Sequence, residues 1–144
     1  MNINDTIALW APRMLSILRI VAALIFFEHG TQKLLGFPTH PNPPGIWTTS
    51  WIAAVLELIG GPLLLVGLFT RPVAFILAGE MAIAYWTAHA PRSVFPVLNN
   101  GDAAILYCFV FLYLAFAGGG PWSLDAMMGR ETGARGGLLA GLRR

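Results

Sequence analysis

Long apolar runs alternate with short polar or proline-rich segments along the chain. About 20 consecutive apolar residues are enough for a helix to cross a bilayer, so the runs predict four membrane-spanning helices. We place these helices at residues 13–35, 49–69, 73–90 and 102–117. The proline-rich segment 37–45 and the segment 91–101 are predicted to be loops, because proline ends a helix and cannot pair within a sheet.

The two ends of the chain differ in character from the apolar region. Residues 1–12 contain Trp10 and Pro12 and are predicted to lie at the membrane surface, ahead of a four-helix domain at 13–125. They hold no Lys or Arg, and no small-residue cleavage site follows, so we read the first run as a retained span and not as a signal peptide. The Gly- and Arg-rich tail at 126–144 is predicted to be disordered.

The distribution of cations predicts the orientation. Four spans put both termini on one side, and most arginines fall on that side: Arg13, Arg71, Arg130, Arg135, Arg143 and Arg144. Lys33 and Arg92 fall on the other side. Because cytoplasmic loops carry the excess of Lys and Arg, we expect both termini to be cytoplasmic. The predicted fold class is an all-α integral membrane four-helix bundle.

Composition supports a protein whose main partner is the lipid bilayer. The chain is 56% hydrophobic and 11% charged, with a mean hydropathy of +0.66. Soluble domains average about 45–50% apolar and about 25% charged residues. The net charge of +2 gives no reason to expect nucleic-acid binding. The single cysteine, Cys108, rules out an internal disulfide and a cysteine-based metal site.

Three glutamates, Glu28, Glu57 and Glu80, stand inside predicted spans. An ionisable group there costs roughly 2.5–3.5 kcal/mol on insertion scales, so such residues default to a functional hypothesis. Glu28 and Glu57 each lie about 10 Å below the outer ends of their spans, at the same level. Two close carboxylates would share a proton, gain a cation or keep apart. We predict that Glu28, His29 and Glu57 form a proton-handling or ligand-binding cluster.

Other polar residues of the outer half are candidate binding residues. These are Gln32, Lys33, His89 and Asp102. Glu80 and His89 are nine residues apart, about 180° around a regular helix, so we expect them not to line one pocket. Arg19 and Glu80 lie at matching heights nearer the cytoplasm and are predicted to form a bracing ion pair.

A metal site built from four of these residues is an alternative, with Glu28, His29, Glu57 and His89 as ligands. Neither an HExxH-type spacing nor a cysteine cluster supports it, so we predict no metal. In the second span, Glu57 shares a stripe with Gly60 and Gly61. Such small residues let a neighbouring helix approach closely.

The first and third spans share a short internal sequence similarity. Arg19-Ile-Val-Ala precedes Glu28 by nine residues, and Arg71-Pro-Val-Ala precedes Glu80 by the same number. Either a duplicated two-span hairpin or coincidence in apolar sequence would produce this pattern.

Several stretches together resemble the DoxX family, small four-span membrane proteins of bacteria and archaea. The stretches are RIVAALIFFEHGTQKLLGF from Arg19, ELIGGPLLLVGLFTRPVA from Glu57, GEMAIAYWTAH from Gly79 and NNGDAAILYCFVFLYLAFAGGGPWSLD from Asn99. The resemblance implies a multi-pass protein of the bacterial inner membrane near quinone or thiol redox chemistry. It supplies no catalytic assignment, and a shared fold does not supply one either.

Taken together, the sequence predicts an accessory subunit of quinone- or thiol-linked redox chemistry rather than a self-sufficient enzyme. The chain has no flavin, haem or nucleotide motif, so no intrinsic cofactor is expected and a quinone is the candidate ligand. A redox enzyme or a second copy of the chain is the candidate partner. A small proton-coupled transporter or channel and a structural membrane scaffold stay open as alternatives.

Overall fold

Helices make up most of the part of the protein that the structure describes. The structure is a computed structural model, and it describes residues 2–39 and 41–130. The elements are α1 (Ile3–Leu35), α2 (Thr49–Val66), α3 (Thr70–Ala84), a π-helical turn (Tyr85–His89), a 3-10 turn (Ala90–Arg92), α4 (Pro96–Asn99), α5 (Asp102–Ala117) and α6 (Leu124–Met127). No strand occurs within these described ranges, and the predicted all-α class is confirmed.

Among the described residues, three helical segments are long and apolar enough to cross a membrane: α1, α2 and the continuous stretch Thr70–Arg92. Helix α5 is also apolar but spans only Asp102–Ala117. The predicted spans therefore correspond to observed helices. Which side of the membrane the termini occupy stays a prediction. We call the two ends of the bundle the loop end (residues 37–48 and 93–101) and the termini end (the turn at residues 67–69).

Helix α1 begins ten residues earlier than the predicted span. Asn2 caps it, since the Asn2 side chain accepts from the Asp5 backbone N–H at 2.9 Å and the Asp5 carboxylate accepts from the Asn2 N–H at 3.1 Å. Pro12 is accommodated inside the helix. The interfacial position of residues 1–12 stays a prediction, and most of the tail predicted to be disordered lies outside the described residues.

The bundle consists of two hairpins, α1 with α2 and α3 with α5, which pack more extensively within themselves than against each other. Glycines allow the tight contact of the first hairpin. A Cβ on Gly30 would lie 2.7 Å from the Leu58 nitrogen, and one on Gly61 would lie 2.7 Å from the Phe27 Cβ. The close approach predicted for the stripe beside Glu57 is therefore confirmed.

At the termini end, Arg19 ties the hairpins together. Its fully buried guanidinium donates to the carbonyls of Leu64, Leu65, Gly119 (2.8 Å) and Trp122 (2.9 Å). These carbonyls lie in the last turn of α2 and in the segment after α5, where a helix leaves acceptors without partners. Hydrogen bonds to backbone carbonyl oxygens thus offset the cost of burying the Arg19 charge.

Arg71 plays a related part in the second hairpin. It donates to the carbonyls of Phe116 at 2.6 Å and Ala115 at 3.3 Å, in the last turn of α5. The arginines of the two similar sequence stretches therefore both bond the last turn of the helix that follows in their own hairpin. This similarity is what a duplicated hairpin would produce.

Asp125 holds the turn between α2 and α3. Its carboxylate accepts from the N–H groups of Phe69 at 3.0 Å and Thr70 at 2.7 Å, and its own N–H donates to the Gly67 carbonyl at 2.9 Å. Phe69 provides no side-chain cap for α3. A residue 55 positions further along the chain therefore caps that helix.

Candidate functional site

A cavity of about 770 Å³ lies between the two hairpins, in the half of the bundle nearer the loop end. All four long helices contribute to it, and its volume falls in the usual range for small-molecule sites. Much of the wall is apolar, with Phe26 and Tyr107 as its aromatic members. The ionisable lining residues are His29, Lys33, Glu57, Glu80, His89 and Tyr107.

Lys33 and Glu57 form an ion pair at the α1–α2 side of the cavity. The Nζ–Oε1 distance is 2.6 Å, and the side chains are 25% and 2% exposed, respectively. The second oxygen of Glu57, Oε2, is buried without a hydrogen-bond partner among the described residues. The predicted contact between the polar residues of the first and second spans is thus made by Lys33. The Oε2 atom of Glu57 could therefore accept a hydrogen bond from a ligand.

Glu80 lies on the opposite wall and is 8% exposed. Neither of its carboxyl oxygens has a hydrogen-bond partner within the described part of the chain. The predicted Arg19–Glu80 pair is therefore wrong. The reason is that Arg19 donates to the backbone carbonyls at the termini end. A buried carboxyl group without a partner is costly and needs compensation from a ligand or another source.

His89 lines the same cavity as Glu80, contrary to the expectation from a regular helix. The π-helical turn Tyr85–His89 explains the difference. Such a turn adds one residue to an α-helix. The nine positions from Glu80 to His89 therefore give the rotation of about eight regular positions, which separates the two side chains by roughly 80° about the helix axis. The His89 Nδ1 lies 3.0 Å from the Asn99 carbonyl, which fixes the ring. Insertions of this kind are frequent at functional sites.

His29 is oriented in the same manner as His89. Its Nδ1 lies 2.9 Å from the Ile25 carbonyl, and its ring centroid is 6.3 Å from that of Tyr107. A carbonyl only accepts, so we assign the Nδ1 proton to the histidine in both contacts. In the neutral ring, Nε2 is then an acceptor, available to a ligand hydroxyl or a proton.

The remaining predicted site residues lie outside the cavity. Glu28 is exposed and lines a shallow recess of about 210 Å³ with Gln32, Pro38 and the edge of His29. Asp102 is exposed in the first turn of α5. The predicted cluster of Glu28, His29 and Glu57 is therefore divided between the recess and the cavity, which share only His29.

Sequence reasoning missed two residues of the site. Phe26 forms one wall with Tyr107, their ring centroids 5.4 Å apart, but in an apolar span Phe26 looks like an ordinary packing residue. Tyr107 belongs to the aromatic run of the fourth span, for which the sequence favours packing and offers stacking on a quinone ring as the alternative. Asn99 was also missed. Its side chain accepts from the Gly101 N–H at 2.7 Å and donates to the Ser93 carbonyl at 2.8 Å, which fixes the loop that holds His89. The Asn-Asn-Gly sequence before α5 was the available signal.

The histidines and carboxylates of the described residues include no group of three or more placed to hold a metal ion. The site is therefore better described by hydrogen-bond donors, acceptors and one ion pair than by coordination chemistry. Apolar helices long enough to cross a membrane, with a cavity between them that several ionisable side chains line, define the class of protein: a small integral membrane protein.

The family follows from comparison with known proteins. The DoxX family model matches residues 14–90, and the chain belongs to the DoxX family. An uncharacterized protein of Haemophilus influenzae is 43% identical over 122 residues, covering 81% of this chain and 91% of the relative. "Inner membrane protein YphA" of Escherichia coli is 32% identical over 126 residues (79% and 89%). "Putative oxidoreductase CatD" of Bacillus subtilis is 31% identical over 123 residues (81% and 90%). No solved structure matches the chain.

Proposed function

We propose that the cavity binds the head group of a quinone-type redox carrier and exchanges protons with it. Reduction of a quinone to a quinol consumes two electrons and two protons. The contribution of this chain is binding and proton transfer. A partner oxidoreductase of the membrane supplies the electrons, and the name of the Bacillus subtilis relative supports this redox setting.

The observation that carries the proposal is the pair of unpartnered carboxyl oxygens of Glu80 in the cavity wall. A quinol hydroxyl would donate to such an oxygen, and the Lys33 ammonium would donate to a quinone carbonyl. The Nε2 atoms of His29 and His89 would accept protons from the ligand or return them. The apolar and aromatic wall would cover the ring faces.

The test is binding of a short-chain quinol, kept reduced, to the purified protein in lipid nanodiscs, with Glu80→Gln as the main variant. We expect Glu80→Gln to weaken quinol binding by about tenfold or more, because the carboxyl group that accepts from the quinol hydroxyl is lost and hydrogen bonds to charged groups contribute about 1.5–3 kcal/mol. Glu28→Gln removes a carboxylate at the corresponding position of the first hairpin but outside the cavity. A larger loss from Glu28→Gln than from Glu80→Gln would favour the cluster predicted from sequence and contradict the cavity as the site.

A transport function has one observation in its favour. The cavity extends to the loop end, where Thr49, Ser50 and Asn100 give it a polar lining. A small polar solute could enter there, and flux of a labelled solute into vesicles would detect it. If Glu80→Gln changes only thermal stability, with neither quinone binding nor flux in the unmodified protein, the scaffold alternative is correct.

The exposed recess at Glu28 and Gln32 is where we place a partner. Polar groups that face lipid are costly, so contact with a redox enzyme or a second copy of the chain would stabilise them. We further propose a bacterial inner-membrane location with both termini cytoplasmic. The cation distribution and the name of the Escherichia coli relative support it.

A further inference from the structure

Helices α2 and α3 touch between their connecting turn and the cavity. A Cβ on Gly60 would lie 2.9 Å from the Leu77 side chain. The α2 residues that line the cavity all fall within 49–57, and those of α3 and its extension fall within 76–89. Apart from Ile76, these lining residues lie beyond the Gly60–Leu77 contact as counted from the turn, so the cavity occupies a gap between the two helices on the loop-end side of that contact.

The rim of this gap is apolar and accessible. Ile52 on α2 and Ile76 and Ile83 on α3 line the cavity, yet they are 48%, 55% and 62% exposed. A side chain that lines a cavity and also has half its surface exposed marks an opening. Both helices lie in segments apolar enough to cross a membrane, so the opening faces hydrocarbon and not water.

The opposite seam, between α1 and α5, is closed at the level of Phe26. The rings of Phe26, Tyr107 and Phe111 fill it there, with centroid separations of 4.8 Å for Phe26–Phe111, 5.4 Å for Phe26–Tyr107 and 5.5 Å for Tyr107–Phe111. Phe26 and Phe111 are almost completely buried. At this depth a ligand dissolved in the bilayer therefore meets an aromatic wall on the α1–α5 side and an apolar, accessible rim on the α2–α3 side.

We infer that the gap between α2 and α3 is a lateral portal and that the ligand is a membrane-dissolved amphiphile with an apolar tail. Its polar head would lie against Lys33, Glu57 and Glu80, and its tail would pass between Ile52 and Ile83 into the lipid. This inference rests on the proposed function and specifies its substrate class. A long tail keeps the carrier in the membrane, since each methylene buried there contributes about 0.8 kcal/mol. The portal lets the head reach the cavity without the tail leaving the hydrocarbon.

Gly79 provides the means to test the portal. It is exposed, lines the cavity at the rim, and has open space where a Cβ would be, with no atom within 4 Å. Gly79→Trp would therefore obstruct the portal from a position where the backbone need not move. Leu24→Trp is the matched control, because Leu24 is an exposed residue of α1 that does not line the cavity. Gly79→Leu replaces the tryptophan variant if that variant does not fold.

The experiment compares a tail-less quinone with one that carries a decyl or longer tail, using nanodisc-embedded protein. We expect Gly79→Trp to weaken binding of the tailed quinone by about tenfold, the loss that corresponds to roughly two methylene groups no longer buried. The tail-less quinone should bind Gly79→Trp within about twofold of the unmodified protein, a difference below 0.5 kcal/mol. Leu24→Trp should affect neither ligand.

The outcomes separate the portal from the proposed function. Equal weakening of both ligands by Gly79→Trp, or no weakening of either, overturns the portal and leaves quinone binding in place. Failure of the unmodified protein to bind either quinone overturns the proposed function itself, and the portal with it.

Discussion

Replacing Lys33 by Met tests how far the cavity depends on its ion pair. The ammonium lies 2.6 Å from a Glu57 oxygen, and the Glu57 side chain is only 2% exposed. Lys33→Met preserves most of the apolar stem but leaves Glu57 as a buried charge without a counter-ion. Breaking a buried pair by removing one partner costs about 3–5 kcal/mol, and we expect the free energy of unfolding to fall by that amount.

The assay is a thermodynamic cycle with Glu57→Gln, measured by unfolding in detergent with circular dichroism. Glu57→Gln alone should cost less than Lys33→Met, because Lys33 is 25% exposed and its ammonium can move toward the loop end. In the double variant no unpaired charge remains, so it should be more stable than Lys33→Met by about 1–3 kcal/mol. The reasoning is refuted if the double variant is no more stable than Lys33→Met, or if Lys33→Met unfolds like the unmodified protein.

Two further predictions concern packing and capping. Gly61→Ala would place a Cβ 2.7 Å from the Phe27 Cβ, so it should destabilise the protein by about 1–3 kcal/mol. Gly79→Ala meets open space and should stabilise the protein by up to about 1 kcal/mol. Melting temperatures of the two variants test this, and equal effects would contradict the close approach of α1 and α2 at Gly61. Asp125→Asn weakens the cap at the Phe69 and Thr70 N–H groups and should cost about 1 kcal/mol, measured by the same unfolding titration; an unchanged stability would show that Asp125 does not hold the turn.

The sequence predicted those features that depend on spacing along one helix. The helices, their order and the small-residue contact at Gly61 follow from runs of apolar residues and from residues three or four apart. Lys33 was a candidate binding residue of the outer half, and the structure pairs it with Glu57. Depth and spacing are properties that a sequence carries directly.

The errors came from rotation about a helix axis and from long side chains. Matching depths suggested that Glu28 meets Glu57, but depth does not say which way a side chain points, and Glu28 faces outward. The π-helical turn changed the direction in which the His89 side chain points, and no residue type is a dependable sequence signal for such a turn. Arg19 satisfied its charge with backbone carbonyls, which a search for acidic partners does not consider.

The clamp at Asp125 has a mechanical consequence for the cavity. It fixes the turn between α2 and α3 through three hydrogen bonds to residues 67–70, while the cavity lies between the parts of these helices that are further from the turn. Helices α2 and α3 are therefore held together at one end, at their connecting turn. Ile52 is 15 positions from Gly67, about 22 Å along a helix, so a 5° change at the turn would displace it by about 2 Å. A small adjustment at one face of the membrane would thus alter the aperture near the other.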